Sequence, residues 1–385
     1  MRRPPVQMPP TPSLSQSSGV LTIDLTALAD NWRLLAARAA PAQCAAVVKA
    51  DAYGIGIEAA APALHAAGCR HFFVAQLSEG TRVRAALAPR PQVAIYVLNG
   101  LQAGADPHAD YCEHGLAPAI GSEQELARWA AYASTHISAP PCAIHLDTGM
   151  NRLGFSSLSA LKDAVARHGG PEALGIDLLM SHFVSAEEPD NPLNALQIAR
   201  FDEAHAAFRD LSASLANSSG VFLRERPAYD LVRPGFALYG GNPTPGAPNP
   251  MKPVVSLEIA IQQTRWIEAG DTVGYNQQWT APRRTRLATL LAGYADGVPR
   301  SAGATDRPGA EAVIAGRRCP LVGRMSMDLC VADVTDLPDD SAQPGVGAQL
   351  LGDQIGVDEF AARAGASGYH VLTSLGPRYH RRYVG

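Results

Sequence analysis

The sequence predicts a TIM-type (β/α)8 barrel followed by a second, mainly β C-terminal domain, on three observations. Up to about residue 250, short apolar runs alternate with amphipathic stretches every 20 to 35 residues or so, the rhythm of repeated strand–helix units. Eight such runs occur, the number of strands a closed parallel barrel needs. Beyond that point the pattern changes to short β-rich runs divided by glycine, proline and aspartate turns.

The eight runs are CAAVVK from 44, HFFVA from 71, QVAIYVL from 92, LAPAI from 116, AIHLD from 143, IDLLMS from 176, ASLANS from 213 and LVRPGFALYG from 231. Between them, SEGTRVRAALA and SEQELARWAAYA each open on a serine followed by acidic residues. Ser78 and Ser122 are therefore expected to cap helices. The β-rich runs are VVSLEIAIQQTRWI, RLATLLAGY, AVIAG, CPLVGRM and LCVADV, with one helical window at VDEFAARAG. These divisions give a disordered proline- and serine-rich tail over 1–18, a barrel over 19–250 and a β domain over 251–385.

At 385 residues, 46% hydrophobic and 18% charged, the chain has ample length for a large core. The net charge is −4 and no basic block occurs, which argues against nucleic acid or a membrane surface as partner. The six cysteines lie far apart without a CxxC pair and the histidines show no ligand spacing, so thiols are expected reduced and no metal is expected. The basic start lacks the apolar stretch of a signal peptide and no segment reaches the length of a membrane span, so the expected location is the cytoplasm.

Chemistry enters at VVKADAYGIG, where Lys49 ends the first run. A lysine is seldom buried without a partner, so it is either a strand end reaching water or an amine held for its reactivity. In a barrel the reacting groups stand at the C-terminal strand ends, and Lys49 has that position. His145 and Arg152 follow the fifth run, His182 the sixth, Asn217 and Ser218 end the seventh, and Arg233 and Gly235 lie in the eighth. Tyr53 can offer a phenol to a phosphate; otherwise it is a packed core tyrosine. Ser218 supplies a hydroxyl and Gly235 an unencumbered amide, suited to a phosphate near strands seven and eight, although each alone is also an ordinary turn residue.

VVKADAYGIG followed in order by LDTGMNRLGF, SHFVSAEE, ANSS, RPGFALYGG, VGYNQQW, GYADGVPR and VGRMSMDLC resembles the alanine racemases, from about residue 20 to the C-terminus. The resemblance implies a pyridoxal 5'-phosphate enzyme that interconverts L-alanine and D-alanine by a two-base mechanism through an aldimine on Lys49. It also implies a cytoplasmic homodimer with shared active sites, supplying D-alanine for peptidoglycan. Under it, Tyr275 comes from the partner's β domain as the second base, and His182 packs against the cofactor ring. Asn217, Ser218, Gly235 and Tyr53 belong to the cofactor cradle. Arg233 faces the pyridine nitrogen, donating a hydrogen bond without protonating it, which disfavours transamination and elimination. Arg152, Met327 and Asp328 hold the substrate carboxylate region and Tyr294 narrows the entrance.

Three positions depart from the family pattern. Ile55 stands for the usual histidine and Ser326 for the usual cysteine before Met327. His145 stands where many members carry a carbamylated lysine that fixes the substrate-binding arginine. Arg152 is then expected to be oriented by a neutral His145, by an anion such as chloride, or by both, with His145 titrating near 6.5 if unperturbed. A racemase of broader or different specificity, acting on serine or basic amino acids, would share nearly all the motifs. A fold-related decarboxylase would show a different block order. A non-catalytic cofactor-carrying barrel would need neither a β domain nor Tyr275.

Overall fold

The structure is a computed structural model in which residues 12–88, 92–102, 108–136, 139–224, 228–305 and 307–385 are described. Two compact units appear, Thr26–Lys252 and, in the other, the chain before Thr26 together with Pro253–Gly385.

All eight apolar runs of the first unit form strands. Helix α1 (Leu25–Ala39) leads into strand one, which splits into β2 (Gln43–Cys44) and β3 (Ala46–Val47). Parallel to β3 follow β4 (His71–Val74), β5 (Ala94–Val97), β6 (Ala117–Ile120), β7 (Cys142–His145), β8 (Ile176–Met180) and β9 (Ser212–Ser214), in sequence order. The eighth run supplies β10 (Leu231–Val232), whose residues pair in parallel with Gln43 and Cys44. On its other side Arg233 N donates to Ala216 O at 2.9 Å, so the barrel is closed. These strands are almost wholly buried, as a parallel sheet covered on both faces requires.

The strands alternate with helices α3 (Ile57–Ala67), α4 (Leu77–Ala86), α5 (His108–His114), α6 (Glu123–Ala133), α7 (Leu158–Arg167) with the short α8 (Gly170–Ala173), and α9 (Pro192–Ala207). Ser122 caps α6 as expected, accepting from Glu125 N at 3.3 Å. Ser78 does not cap α4. That helix begins two residues earlier on Gln76, because Glu79 reaches back to the Gln76 amide at 3.0 Å and fixes the start there. The helix associated with the last strand comes first in sequence. Asn31 of α1 donates to Leu238 O at 3.2 Å and Lys252 O at 2.9 Å and accepts from Lys252 N at 2.8 Å, fastening α1 to the segment after β10.

Between strand one and α3 lies α2 (Lys49–Tyr53), a single helical turn of the opposite hand. Ala50, Asp51, Ala52 and Tyr53 all have φ between 52° and 56°, and Gly54 follows at 85°. For residues with a Cβ the left-handed conformation costs roughly 1–2 kcal/mol each, so the turn stores several kcal/mol that its surroundings must offset.

The second unit takes in the chain's first strand, β1 (Gly19–Asp24), which the sequence analysis assigned to the barrel. GVLTID buries every second side chain, the pattern of a sheet with one covered face, whereas barrel strands are buried on both. β1 pairs antiparallel with β11 (Val255–Ile267) and parallel with the last strand, β19 (His380–Val384). The sheet is completed by β14 (Thr285–Leu290), β15 (Glu311–Ile314), β16 (Arg317–Pro320), β17 (Cys330–Asp333) and β18 (Gly347–Leu351), with β12 (Thr272–Val273) and β13 (Trp279–Thr280) forming a hairpin. Helices α10 (Val357–Ala364) and α11 (Gly368–Thr373) follow, the former over the expected helical window.

Of the expected tail, residues 1–11 lie outside the described residues. Residues 12–18 are ordered: Leu14–Gln16 form a 3-10 turn, Ser18 N donates to Arg378 O at 3.2 Å, and Pro12 O meets His380 Nδ1 at 2.9 Å.

Candidate active site

Strand one delivers Lys49 to the C-terminal end of the barrel. The Val48 amide makes the last ladder bond, to Phe73 O at 2.8 Å, and the left-handed turn begins immediately after. The amine is half-buried. Its pKa is lowered, first by burial and then by the charge of Arg152, with Glu79 opposing, so more of it is in the nucleophilic neutral form than in a lysine in water.

Four residues later, at the end of this single turn, Tyr53 meets the residues that follow strands seven and eight. The buried Tyr53 ring stacks on Tyr239 with centroids 4.5 Å apart, and Tyr239 Oη in turn donates to Val47 O at 2.9 Å. Burial pushes the Tyr53 phenol well up, so it acts as a donor and not an anion. Gly235 has no room for a side chain, since a Cβ there would lie 2.4 Å from Tyr53 Oη. Buried Ser218 accepts from Gly235 N at 3.0 Å and Ala237 N at 3.2 Å, leaving its own hydroxyl proton to donate. Tyr53, Ser218 and Gly235 are thus one cradle. Asn217 stands beside it with its side-chain oxygen accepting from Gly220 N at 2.9 Å, so its NH2 group is what it can offer a ligand.

Arg233 is 4% exposed and makes no ion pair among the described residues. Its two terminal nitrogens donate to Ser214 Oγ and Ser181 O, and the guanidinium lies 5.7 Å from the centroid of the Phe73 ring. Burial lowers its pKa, the mark of a cation held without a neutralising carboxylate. His182 is driven down to about 3, mainly by burial and then by the charges of Arg233, Arg152 and Lys49. Gln197 fixes its backbone, donating to His182 O at 2.9 Å and to Thr148 Oγ1 at 3.0 Å.

His145 ends β7 and is likewise lowered, to about 4, by burial first and then by Arg233, with Asp147 opposing. The expected titration near 6.5 is therefore corrected downward, and His145 is neutral at physiological pH. Asp147 organises the following loop, its Oδ1 accepting from Gly149 N and Met150 N at 2.8 Å each and its Oδ2 from Asn151 N at 2.7 Å. Gly154, at φ 112°, closes that loop where a Cβ would strike Asp147 N at 2.7 Å. Arg152 is exposed and makes no hydrogen bond or ion pair to the described residues. Neither His145 nor a carboxylate holds it. Ile55 is fully buried, which accounts for an apolar residue at that position.

The remaining expected residues belong to the second unit. Tyr275 opens a 3-10 turn between β12 and β13 and is 65% exposed. Tyr294 and Met327 are brought together by Tyr294 N donating to Ser326 O at 3.1 Å and Ala295 N to Met327 O at 2.9 Å, and both side chains are exposed. Asp328 is held by Arg378 Nη1 at 2.7 Å, while the same guanidinium grips buried Asp296 through Nε and Nη2, each at 2.7 Å. Asp147, Glu79 and Tyr239 support the groups at the barrel's strand ends, Arg378 holds Asp328 in the second unit, and the sequence analysis named none of the four. Only Glu79 carried a local signal, as an acid at the third position of a helix.

The fold and the groups at the C-terminal strand ends define a (β/α)8-barrel enzyme that gathers the cations Arg152 and Arg233 near Lys49, neither of them in an ion pair among the described residues. The chain belongs to the alanine racemase family: residues 23–243 match the model "Alanine racemase, N-terminal domain" and 254–383 match "Alanine racemase, C-terminal domain". It is 53% identical to the alanine racemase of Methylobacterium sp. (strain 4-46) over 364 residues, 94% of this chain and 97% of that one. It is 52% identical to that of Methylobacterium nodulans over 367 residues, 94% and 95% of the two chains. The crystal structure of alanine racemase from Bartonella henselae with covalently bound pyridoxal phosphate superposes with a TM-score of 0.88 at 36% identity, covering 96% of this chain and 100% of that one.

Proposed function

We infer that this chain interconverts L-alanine and D-alanine with pyridoxal 5'-phosphate as cofactor. It acts as a cytoplasmic homodimer and supplies D-alanine for peptidoglycan. The residues present fit that cofactor. Arg233 is a buried cation without an anion, the Tyr53–Ser218–Gly235 cradle converges where a side chain has no room, and Lys49 has a lowered pKa. Among the described residues no helix is long and apolar enough to cross a membrane.

The observation that carries the reading is Arg233. When bound, the cofactor supplies an aldehyde for covalent attachment and an electron sink that acidifies the substrate's α-hydrogen. A guanidinium against its ring nitrogen donates a hydrogen bond but keeps its proton, which limits the electron sink and favours return of the proton to the α-carbon. Lys49 attaches the cofactor and, once displaced, moves the proton on one face. Tyr275 of the partner subunit serves the opposite face, and its exposure on a surface turn supports such a role. Tyr53, Ser218, Gly235 and Asn217 bind the phosphate, and neutral His182 packs against the ring. Arg152, with Met327, Asp328 and Tyr294, receives the substrate carboxylate and shapes the entrance. An arginine without a protein anion is free to pair with that carboxylate.

The test is a panel of L-amino acids incubated with the purified enzyme and assayed for the D-enantiomer. Alanine is expected to exceed serine, lysine and arginine in kcat/KM by at least tenfold. Equal or faster conversion of serine or a basic amino acid overturns the alanine assignment, and amine formation overturns racemisation.

A further inference from the structure

The left-handed turn that follows Lys49 is gripped from outside by one helix. Glu79, in the first turn of α4, divides its carboxylate between two elements. Oε2 accepts from Ala75 N at 2.9 Å and Gln76 N at 3.0 Å, while Oε1 accepts from Ala50 N at 2.6 Å. Three residues further along the same face, Arg82 Nη2 donates to Asp51 Oδ1 at 2.5 Å. Arg82 is itself held by Glu58, at 2.8 Å through Nε and 2.7 Å through Nη2. Thus α4 holds the first two left-handed residues, one by its amide and one by its carboxylate.

We propose that Glu79 is a positioning residue for Lys49: by bridging the Ala50 amide to the start of α4 it keeps the strained turn closed and aims the lysine at the cofactor. The proposal rests on the inference that Lys49 attaches pyridoxal phosphate. Helix capping explains the two bonds to Oε2 but not the bond to Oε1, which leaves the helix to reach the residue next to the lysine. Local bonds such as Gly54 N to Ala50 O at 2.8 Å close the turn, but two alanines and a tyrosine resist the left-handed conformation, so contacts from outside help to keep it. The same carboxylate also favours the protonated form of Lys49, opposing the lowering that burial and Arg152 impose on it.

Two variants separate positioning from capping. Glu79→Gln keeps the shape but loses the charge and presents an amide NH2 to one set of N–H donors. Glu79→Asp keeps the charge and can still cap Gln76 but is too short to reach Ala50 as well. In both, hydrogen exchange of the amides of residues 50–53 in the cofactor-free protein is expected to speed up tenfold or more, and the Kd for pyridoxal phosphate to rise tenfold. In Glu79→Gln the titration of the visible chromophore on Lys49 is expected to move down by half a pH unit or more. Lower melting temperatures with unchanged exchange over 50–53, unchanged cofactor Kd and an unshifted titration would leave Glu79 a helix cap and overturn the proposal. If Glu79→Gln does not fold, exchange and Kd in Glu79→Asp decide alone. Borohydride fixing the cofactor to another lysine in the wild-type enzyme overturns the inference about Lys49 itself, an outcome the variants cannot mimic.

Discussion

A lysine at the end of a buried strand acquires its chemistry from what surrounds it, and here the surroundings are cationic. Burial first, and then the charge of Arg152 on all three groups and of Arg233 on the two histidines, keeps Lys49, His145 and His182 on the neutral side of their ordinary values, and among the described residues no carboxylate pairs with either arginine. Borohydride treatment of the holoenzyme should therefore fix the cofactor to the peptide containing Lys49, and labelling of Lys162 or Lys252 in its place would count against the assignment. The two histidines set the response to acid. Unfolded, each binds its proton near 6.5; folded, at about 4 for His145 and about 3 for His182. Below about 6.5 the unfolded chain takes protons that the folded chain refuses, so stability falls as pH drops from 6.5 toward 4 and is unaffected by these groups above 6.5. His145→Gln should flatten part of the decline in melting temperature between pH 6.5 and 4.5, and an unchanged slope would show that His145 titrates normally. The same shift means that alanine KM should stay free of a His145 step between pH 8 and 5.5. Gly235 offers a steric test. Gly235→Ala puts a Cβ 2.4 Å from Tyr53 Oη and should weaken cofactor binding at least tenfold, with a smaller loss when made in Tyr53→Phe, whose nearest ring carbon lies 3.1 Å away.

Elements show how far a sequence can be followed. Each of the eight apolar runs became a barrel strand because parallel strands covered on both faces need continuous hydrophobicity, a signal any window detects. β1 was misplaced for the same reason in reverse. Its six residues alternate, but a short alternating run beside the barrel's beginning does not say which sheet it joins. Ser78 looked like a cap, yet Glu79 at the third helical position takes the Gln76 amide and sets the helix start there, so the acid and not the serine was the signal to follow. The barrel-side residues Lys49, Tyr53, Ser218, Arg233 and Gly235 were legible because strand ends are counted along the chain. The left-handed turn was not, since KADAY contains no glycine to announce positive φ. The Asp147 loop was invisible for a similar reason: its order comes from one carboxylate taking three amides. Asp147→Asn retains the shape but weakens those bonds, each worth roughly 1–3 kcal/mol as charge-assisted pairs. It should raise alanine KM through a loosened Arg152 while leaving cofactor affinity near wild type; a kcat loss with unchanged KM would place the loop's role elsewhere.

For the whole molecule the proposed shared site makes a quantitative demand. Lys49→Ala and Tyr275→Phe homodimers should each be nearly inactive, and unfolding and reassembling the two together should restore activity, because a mixed dimer has one site with both changes and one with neither. Heterodimers that form yet stay inactive would put both residues in the same chain's site. Another demand falls on synthesis. β1 lies between β11 and β19, so the strand made first is completed by the strand made last. The barrel residues, Thr26–Lys252, form one uninterrupted stretch and can close while the ribosome is still at work. At the usual 5–20 residues per second, β1 waits on the order of ten to fifty seconds for β11 to emerge. Until then GVLTID is an apolar edge with both rows of hydrogen-bonding groups open, a natural client for a chaperone. Nascent chains stalled before Val255 should be captured at residues 19–24 and released once β11 has left the exit tunnel, so the enzyme's most exposed moment in the cell comes before its second domain exists.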